Sequence, residues 1–339
     1  MGTGISESEG RVSGGGPVVV GIDGSELAGR AVPVAAVMAR ARGTALVVVR
    51  VAPKAVTADL FNVALDDHSQ TQEHAEAELR HVISAVRAAF PDLDVREVLA
   101  NGSPSRELLR VQEETGASVV VLTSHGRTAL ARTFRGSVTD DVVRGSHCPA
   151  LVLWPWALPD VGPGRSAGAA FAAADVPGRN ILVPLDGSAR TLHAVGEAFR
   201  FARAAGGSIL LTTVLDVSSK SEPAARMLEQ AVARALHDRA RVIERGGVPC
   251  RGEVVLASEP AEAIVGLATR EKCDVIAMTT HARGAVGRFL LGGVASRVQA
   301  QASRPVILVP PHADEWSGTS DLPEGVRALA HAEGGTVAE

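Results

Sequence analysis

Residues 17–22 are apolar at almost every position and close on Asp23-Gly24-Ser25. A strand buried on both faces reads this way, because neither face meets water. Behind Ser25, apolar residues fall at 27, 31, 34, 38 and 41, and that spacing of three and four marks one face of a helix. Ser25 is a candidate N-cap and Gly43 a candidate stop. Residues 45–51 supply a second strand, a long helix covers about 70–90, and a strand lies near 95–99. Pro104 opens another helix, as suits a residue without an N–H in a first turn. Residues 118–122 form a strand, followed by a histidine-containing loop, a helix and a last strand at 149–153. Strand alternating with helix throughout predicts an α/β fold with a parallel, doubly wound sheet.

The whole pattern is then repeated. Val18-Val19-Val20-Gly21-Ile22-Asp23-Gly24-Ser25 returns 163 residues later as Ile181-Leu182-Val183-Pro184-Leu185-Asp186-Gly187-Ser188. Thr123-Ser124-His125-Gly126-Arg127 returns as Thr279-Thr280-His281-Ala282-Arg283 at an offset of 156, which the closing strand at 305–309 keeps. The first copy therefore carries seven extra residues between Val51 and Pro104, expected in the polar loop at 59–72. In the second copy Ser188 is the candidate N-cap, apolar residues fall at 192, 195, 199 and 202, and Gly206 is the stop. Strands at 208–214, 252–256 and 274–278 and helices at 223–245 and after Pro260 complete the match. A period this long marks duplicated domains, at 17–155 and 178–311, not a solenoid. Residues 1–16, rich in Gly, Ser and Glu, are expected to be a disordered tail, and 156–177, rich in Pro, Gly and Ala, a linker. Residues 312–339 read as a polar C-terminal tail with one short helix near 324–332.

Composition narrows the function classes. With 46% hydrophobic and 21% charged residues the 339-residue chain resembles ordinary globular proteins, and its length suits two domains. A net charge of −4 gives no general pull toward nucleic acid or anionic membrane. Seven Phe, three Trp and no Tyr leave few rings for stacking on bases. No stretch approaches the ~18 apolar residues that span a bilayer, and residues 1–16 do not read as a secretory signal. Cys148, Cys250 and Cys273 are odd in number and lack CxxC spacing, so neither a disulfide framework nor a zinc site is indicated. The expected location is cytoplasmic.

The sharpest chemical signal follows the strand at 118–122. Gly126 is separated by nine residues from Gly136-Ser137-Val138-Thr139, which opens a helix running toward Gly145. Glycine lets a backbone approach a ligand closely, and a helix N-terminus presents unpaired N–H groups and partial positive charge to phosphate oxygens. Ser137 and Thr139 add hydroxyl donors there, and Arg127 adds charge. The plainer reading makes Ser137 a helix cap, with Asp140 completing a capping box. Asp140 and Asp141 read as first-turn acids complementing the helix dipole in preference to Mg²⁺ ligands. His125 has no Ser, Cys or carboxylate beside it to form a catalytic set, and reads as a loop histidine bonded to backbone. There is no GxxxxGK[ST] loop, no GxGxxG turn, and no helix with two His at i, i+4.

Strand–Asp-Gly-Ser–helix, joined to Thr123-x2-Gly126-x9-Gly136-Ser137 before a final strand, resembles the universal stress protein family in a tandem, two-domain form. The family's ATP-binding pattern is Gly-x2-Gly-x9-Gly-(Ser/Thr), from which the first copy departs only in having Thr123 at the first position. The resemblance implies two Rossmann-like domains of the adenine nucleotide alpha hydrolase-like kind, each with a mostly parallel five-stranded sheet flanked by helices. It implies ATP as ligand, with Mg²⁺ a candidate companion. By the same resemblance Asp23 contacts the adenosine, Gly21 stands on the pocket wall, and Val51 lines the adenine slot through its backbone. Thr123, Gly126 and Arg127 would frame ribose and phosphates, and Gly136, Ser137, Val138 and Thr139 would take the phosphate tail. For Asp23 an Asx-turn closing strand to helix is the alternative.

The second copy departs further from the family pattern. Ala282 replaces Gly126, Gly293 replaces Ser137, and Ala295 stands where Thr139 was, while Pro184, Asp186, Val214, Thr279, Gly292 and Gly293 outline a weaker second site. A hydrogen bond to a charged group contributes roughly 1.5–3 kcal/mol, so the lost hydroxyls weaken binding by about one decade or more. The expected arrangement is ATP mainly in the first copy and a degenerate second one. The resemblance also implies that the last strands, 149–155 and 305–310, pair within the chain as a pseudo-dimer, covering edges otherwise exposed. A homodimer and a regulatory protein partner are left open. Three function classes stand: a nucleotide-dependent stress or regulatory protein, a slow ATPase, and an interaction scaffold without nucleotide.

Overall fold

The computed structural model describes residues 15–52, 57–58, 63–64, 68–124, 137–155, 178–280, 292–310 and 321–331. In the first copy β1 (Val18–Ile22), α1 (Glu26–Arg42) and β2 (Leu46–Ala52) are followed by a small antiparallel pair, β3 (Thr57–Ala58) and β4 (Val63–Ala64). Then come α2 (His68–Ala89), β5 (Val95–Asn101), α3 (Pro104–Thr115), β6 (Val119–Thr123), α4 (Ser137–Gly145) and β7 (Ala150–Leu153). The segment expected as a loop at 59–72 is thus partly structured: Val63–Ala64 pairs with Thr57–Ala58, and α2 already runs from His68. The polar composition of that stretch hid a helix start, because a first turn of His, Ser, Gln and Thr carries no apolar stripe.

The second copy repeats the order with β8 (Asn180–Pro184), α5 (Ala189–Ala205), β9 (Ser208–Leu215), α6 (Glu222–Arg245) and β10 (Cys250–Leu256). It continues with α7 (Pro260–Arg270), β11 (Val275–Thr279), α8 (Gly293–Gln301) and β12 (Val306–Val309), and ends with α9 (Glu324–Ala330). Local chemistry sets the helix ends. Ser25 Oγ accepts the Ala28 N–H at 3.1 Å, and Gly43 and Gly206 close α1 and α5 at φ of 65° and 61°, where a side chain is disfavoured. Ser188 has the extended backbone of a cap but makes no capping bond; its hydroxyl donates to Asp186 Oδ1 at 2.6 Å.

Each copy contributes five parallel strands, and the two sheets join edge to edge in the order β10-β9-β8-β11-β12-β7-β6-β1-β2-β5. The join is antiparallel, with Val306 opposite Val152, Ile307 opposite Leu151 and Leu308 opposite Ala150. This is the intrachain pseudo-dimer, and it leaves neither apolar last strand as an open edge. One continuous apolar layer lies under α1, α2, α5 and α6, and a second under α3, α4, α7 and α8. At the seam, Glu197 of α5 (3% exposed) meets Arg42 of α1 at 2.5 Å and Arg200 at 3.0 Å, and the Arg42 guanidinium lies 4.5 Å from the Phe201 ring centroid.

The expected polar tail supplies an integral element. Leu322, Val326 and Ala330 are buried against α5 and α6. Gly196 and Gly246 make room for them: a Cβ on Gly196 would stand 3.2 Å from Leu322 Cδ1, and one on Gly246 would stand 3.0 Å from Val326 Cγ2. All three cysteines are free and buried. Burial pushes the thiols up, Cys148 and Cys250 to about 12 and Cys273 to about 11. Since the thiolate is the reacting form, a thiol-titrating reagent at pH 8 is expected to find no cysteine in the native protein and all three after denaturation. A single rapidly reacting thiol in the native state would contradict this placement.

Candidate functional site

In the sheet, β1 lies between β2 and β6, with β1 and β2 joined by α1 on one face and β6 arriving from α3 on the other. Connections leaving on opposite faces open a crevice at the carboxyl ends of such strands. A cavity of about 260 Å³ occupies it. Gly21 and Asp23 enter from the end of β1, Val51 from β2, Thr123 from β6, and Val138 and Thr139 from the first turn of α4. Six of the ten residues expected for the first-copy site are thereby brought to one cavity. Ser137 opens α4, whereas Gly126, Arg127 and Gly136, with His125, lie outside the described residues.

The rest of the lining was not legible from motifs. Ile22, Ala28, Val49, Pro104, Leu108 and Leu122 complete the walls, and the available signal was strand alternation, which puts Val49 and Val51 on one face. Leu108 explains Gly21. A Cβ on Gly21 would stand 3.1 and 3.2 Å from the Leu108 methyls, so a larger residue pushes Leu108 toward the cavity.

Two polar residues carry local duties as well. Asp23 Oδ1 accepts the Ser25 N–H at 2.9 Å, so the Asx-turn and the place on the cavity wall belong to the same side chain. Thr139 is 5% exposed and its Oγ1 donates to the Thr123 carbonyl at 3.0 Å. This bond ties the start of α4 to the end of β6. The first turn of a helix such as α4 leaves backbone N–H groups without intrahelical partners. Asp140 lies 3.8 Å from Arg144, one turn on along α4. Among the described residues no group of three or more His, Cys, Asp or Glu is arranged to hold a metal ion.

The corresponding end of the second copy differs in chemistry. Pro184 ends β8, half-buried Val214 lies in β9, Thr279 ends β11, and Gly292-Gly293 leads into α8, while Ala282 lies outside the described residues. Asp186 Oδ1 accepts from the Ser188 N–H, the Ser188 hydroxyl and the Thr191 hydroxyl at 2.8, 2.6 and 3.1 Å. Where Ser103 precedes α3 and Arg106 lies in its first turn, Glu259 precedes α7 and Glu262 lies in its first turn, 2.8 and 3.8 Å from Arg297 of α8. The exchange was readable at the 156-residue offset but falls outside the glycine motif.

The family model of the universal stress protein family matches residues 16–153 and again 178–310. The chain belongs to the universal stress protein family. Both copies are thus universal stress protein domains in tandem. A universal stress protein of Thermus aquaticus is 35% identical over 134 residues, covering 39% of this chain and 98% of its own. One from Mycobacterium bovis is 29% identical over 303 residues, covering 86% of this chain and 96% of its own, so it spans both universal stress protein domains. The crystal structure of a universal stress protein from Archaeoglobus fulgidus aligns with a TM-score of 0.62 at 18% identity, covering 87% of this chain and 96% of that one; it shares the fold. No helix among the described residues is long and apolar enough to cross a membrane.

Proposed function

We propose that the first domain binds ATP and that occupancy of this site makes the protein a nucleotide-dependent stress regulator, with the second domain acting as its structural partner. The observation that carries the reading is the single cavity that gathers Gly21, Asp23, Val51, Thr123 and the first turn of α4. Its walls suit the ligand in order. Apolar Val51, Leu108 and Val138 flank the slot for a flat base, and the Asp23 carboxylate suits ribose hydroxyl donors. The N-terminus of α4 with Ser137 suits the phosphates, and Mg²⁺ would travel on the phosphate oxygens. A cytoplasmic setting and a protein partner that distinguishes occupied from empty chains belong to the same proposal.

Calorimetry with Mg²⁺ and ATP on the full chain tests it. One ATP per chain is expected, and Ser137→Ala is expected to weaken it by about one to two decades, the loss of a hydrogen bond to a charged group of roughly 1.5–3 kcal/mol. Asp186→Ala is expected to leave affinity unchanged. No binding would move the protein to the scaffold class. Two equal sites would overturn the division between the domains, and phosphate release on the same sample would make it an ATPase.

A further inference from the structure

Behind the Asp23 turn lies an ion pair that the glycine motif does not include. Arg50 is the one charged residue in β2, whose other six residues are apolar, and it is 9% exposed. A charge in that position is tolerated only when paired. Its Nε and Nη2 both reach Glu78 Oε2 of α2 at 3.0 Å, and its Nη1 donates to the Val51 carbonyl at 2.9 Å. Glu78 Oε1 is in turn 3.1 Å from His74 Nε2.

This pair supports two walls of the cavity at once. Gly24 sits at φ +84°, and a Cβ there would stand 2.7 Å from both Glu78 carboxylate oxygens and 3.0 Å from Arg50 Nη2. The turn that presents Asp23 therefore rests directly on the ion pair, while the same guanidinium holds the carbonyl of Val51. The second domain lacks the device. Thr213 stands at the place of Arg50, and the matching glycine, Gly187 at φ +87°, has nothing within 4 Å of its Cβ position.

We infer that Arg50 and Glu78 are a positioning pair for the nucleoside half of the first-domain site, setting the Asp23 turn and the Val51 carbonyl at their working separation. The inference rests on the nucleotide reading above and adds residues to it. It is tested by titrating adenosine and ATP separately into wild type, Glu78→Gln, Arg50→Lys and the double variant, with melting temperatures recorded. Glutamine removes the charge at constant shape, and lysine cannot engage the Glu78 carboxylate and the Val51 carbonyl in the planar fork that arginine offers.

Each single variant is expected to weaken adenosine and ATP by the same factor, about tenfold, the size of one charge-assisted hydrogen bond. The double variant is expected to lose no more than either single one, and Ser137→Ala to weaken ATP while sparing adenosine. Wild-type binding with unchanged affinity in the variants overturns the positioning role. So does a loss confined to ATP, or an equal loss of adenosine affinity in Glu197→Ala, which destabilises the fold without touching this cavity. Wild type that binds neither ligand overturns the nucleotide reading itself, and this inference falls with it.

Discussion

Replacing Glu197 with alanine is expected to lower the melting temperature by about 10 °C at pH 7, the largest single-site effect at the seam between the domains. Glu197 is 3% exposed and bridges Arg42 of the first domain and Arg200 of the second, which also meets Asp321 at 3.1 Å. Removing it leaves the Arg42 side chain, 9% exposed, without its carboxylate and with the Phe201 face as its remaining cation–π contact. Breaking a buried pair from one side costs about 3–5 kcal/mol, and each kcal/mol shifts melting by roughly 2–4 °C in a domain of 150–250 residues. The pH dependence follows from the sign of the shift. Burial alone would raise the Glu197 carboxyl, but Arg42 and Arg200 outweigh it and hold the folded value below the ordinary one. The contribution is therefore fully present above the ordinary glutamate value of about 4.3 and is lost as pH falls through the folded value. Melting curves of wild type and Glu197→Ala should diverge above about pH 5 and converge in acid. Curves that stay equally separated down to pH 2, or that coincide at pH 7, would show that the ion pair does not latch the seam.

Val326→Asp is expected to unfold the helical face of the second domain, and deletion of everything after residue 311 to do nearly the same. Val326 is fully buried and points at Gly246 beside Phe199. A carboxylate there has no partner among the apolar residues it meets, and such a change costs about 3 kcal/mol or more. Deletion removes Leu322 and Ala330 as well and frees Arg200 from Asp321. Scanning calorimetry should show a lowered transition for the second domain in both variants, with a hydrophobic dye binding the exposed α5–α6 face. A deletion variant that melts like the full chain would mean that α9 is an ornament of the fold. If the proposed function is right, ATP affinity in the first domain should survive both changes, since its cavity lies on the far side of the seam.

These two effects concern contacts that motif reading could not reach, while much of the architecture was open to it. The order of strands and helices followed from periods of 3.6 and from unbroken apolar runs, which report burial locally. Duplication at 163 and 156 residues announced two similar domains, and Asp23 and Thr123 stand at the strand ends where the cavity lies. The Ser25 cap and the Gly43 and Gly206 stops were equally plain, because a cap is a matter of three or four adjacent residues.

Where sequence reading stopped short, the missing information was direction or distance. Thr139 has the right residue type for a phosphate donor, but its rotamer turns the hydroxyl to the Thr123 carbonyl. The Arg50–Glu78 pair spans 28 residues and the Arg42–Glu197 pair 155, separations at which nothing in a local pattern marks one partner for the other. The tail after residue 311 looks polar because α9 buries only one narrow face, at Val326 and Ala330, and a stripe that sparse is no stronger than chance until the glycines it fits are seen. Local periodicity thus suffices for elements, order and repeat. Long-range pairing, side-chain direction and the seat of α9 emerge only when the chain is packed, because each depends on which surfaces meet.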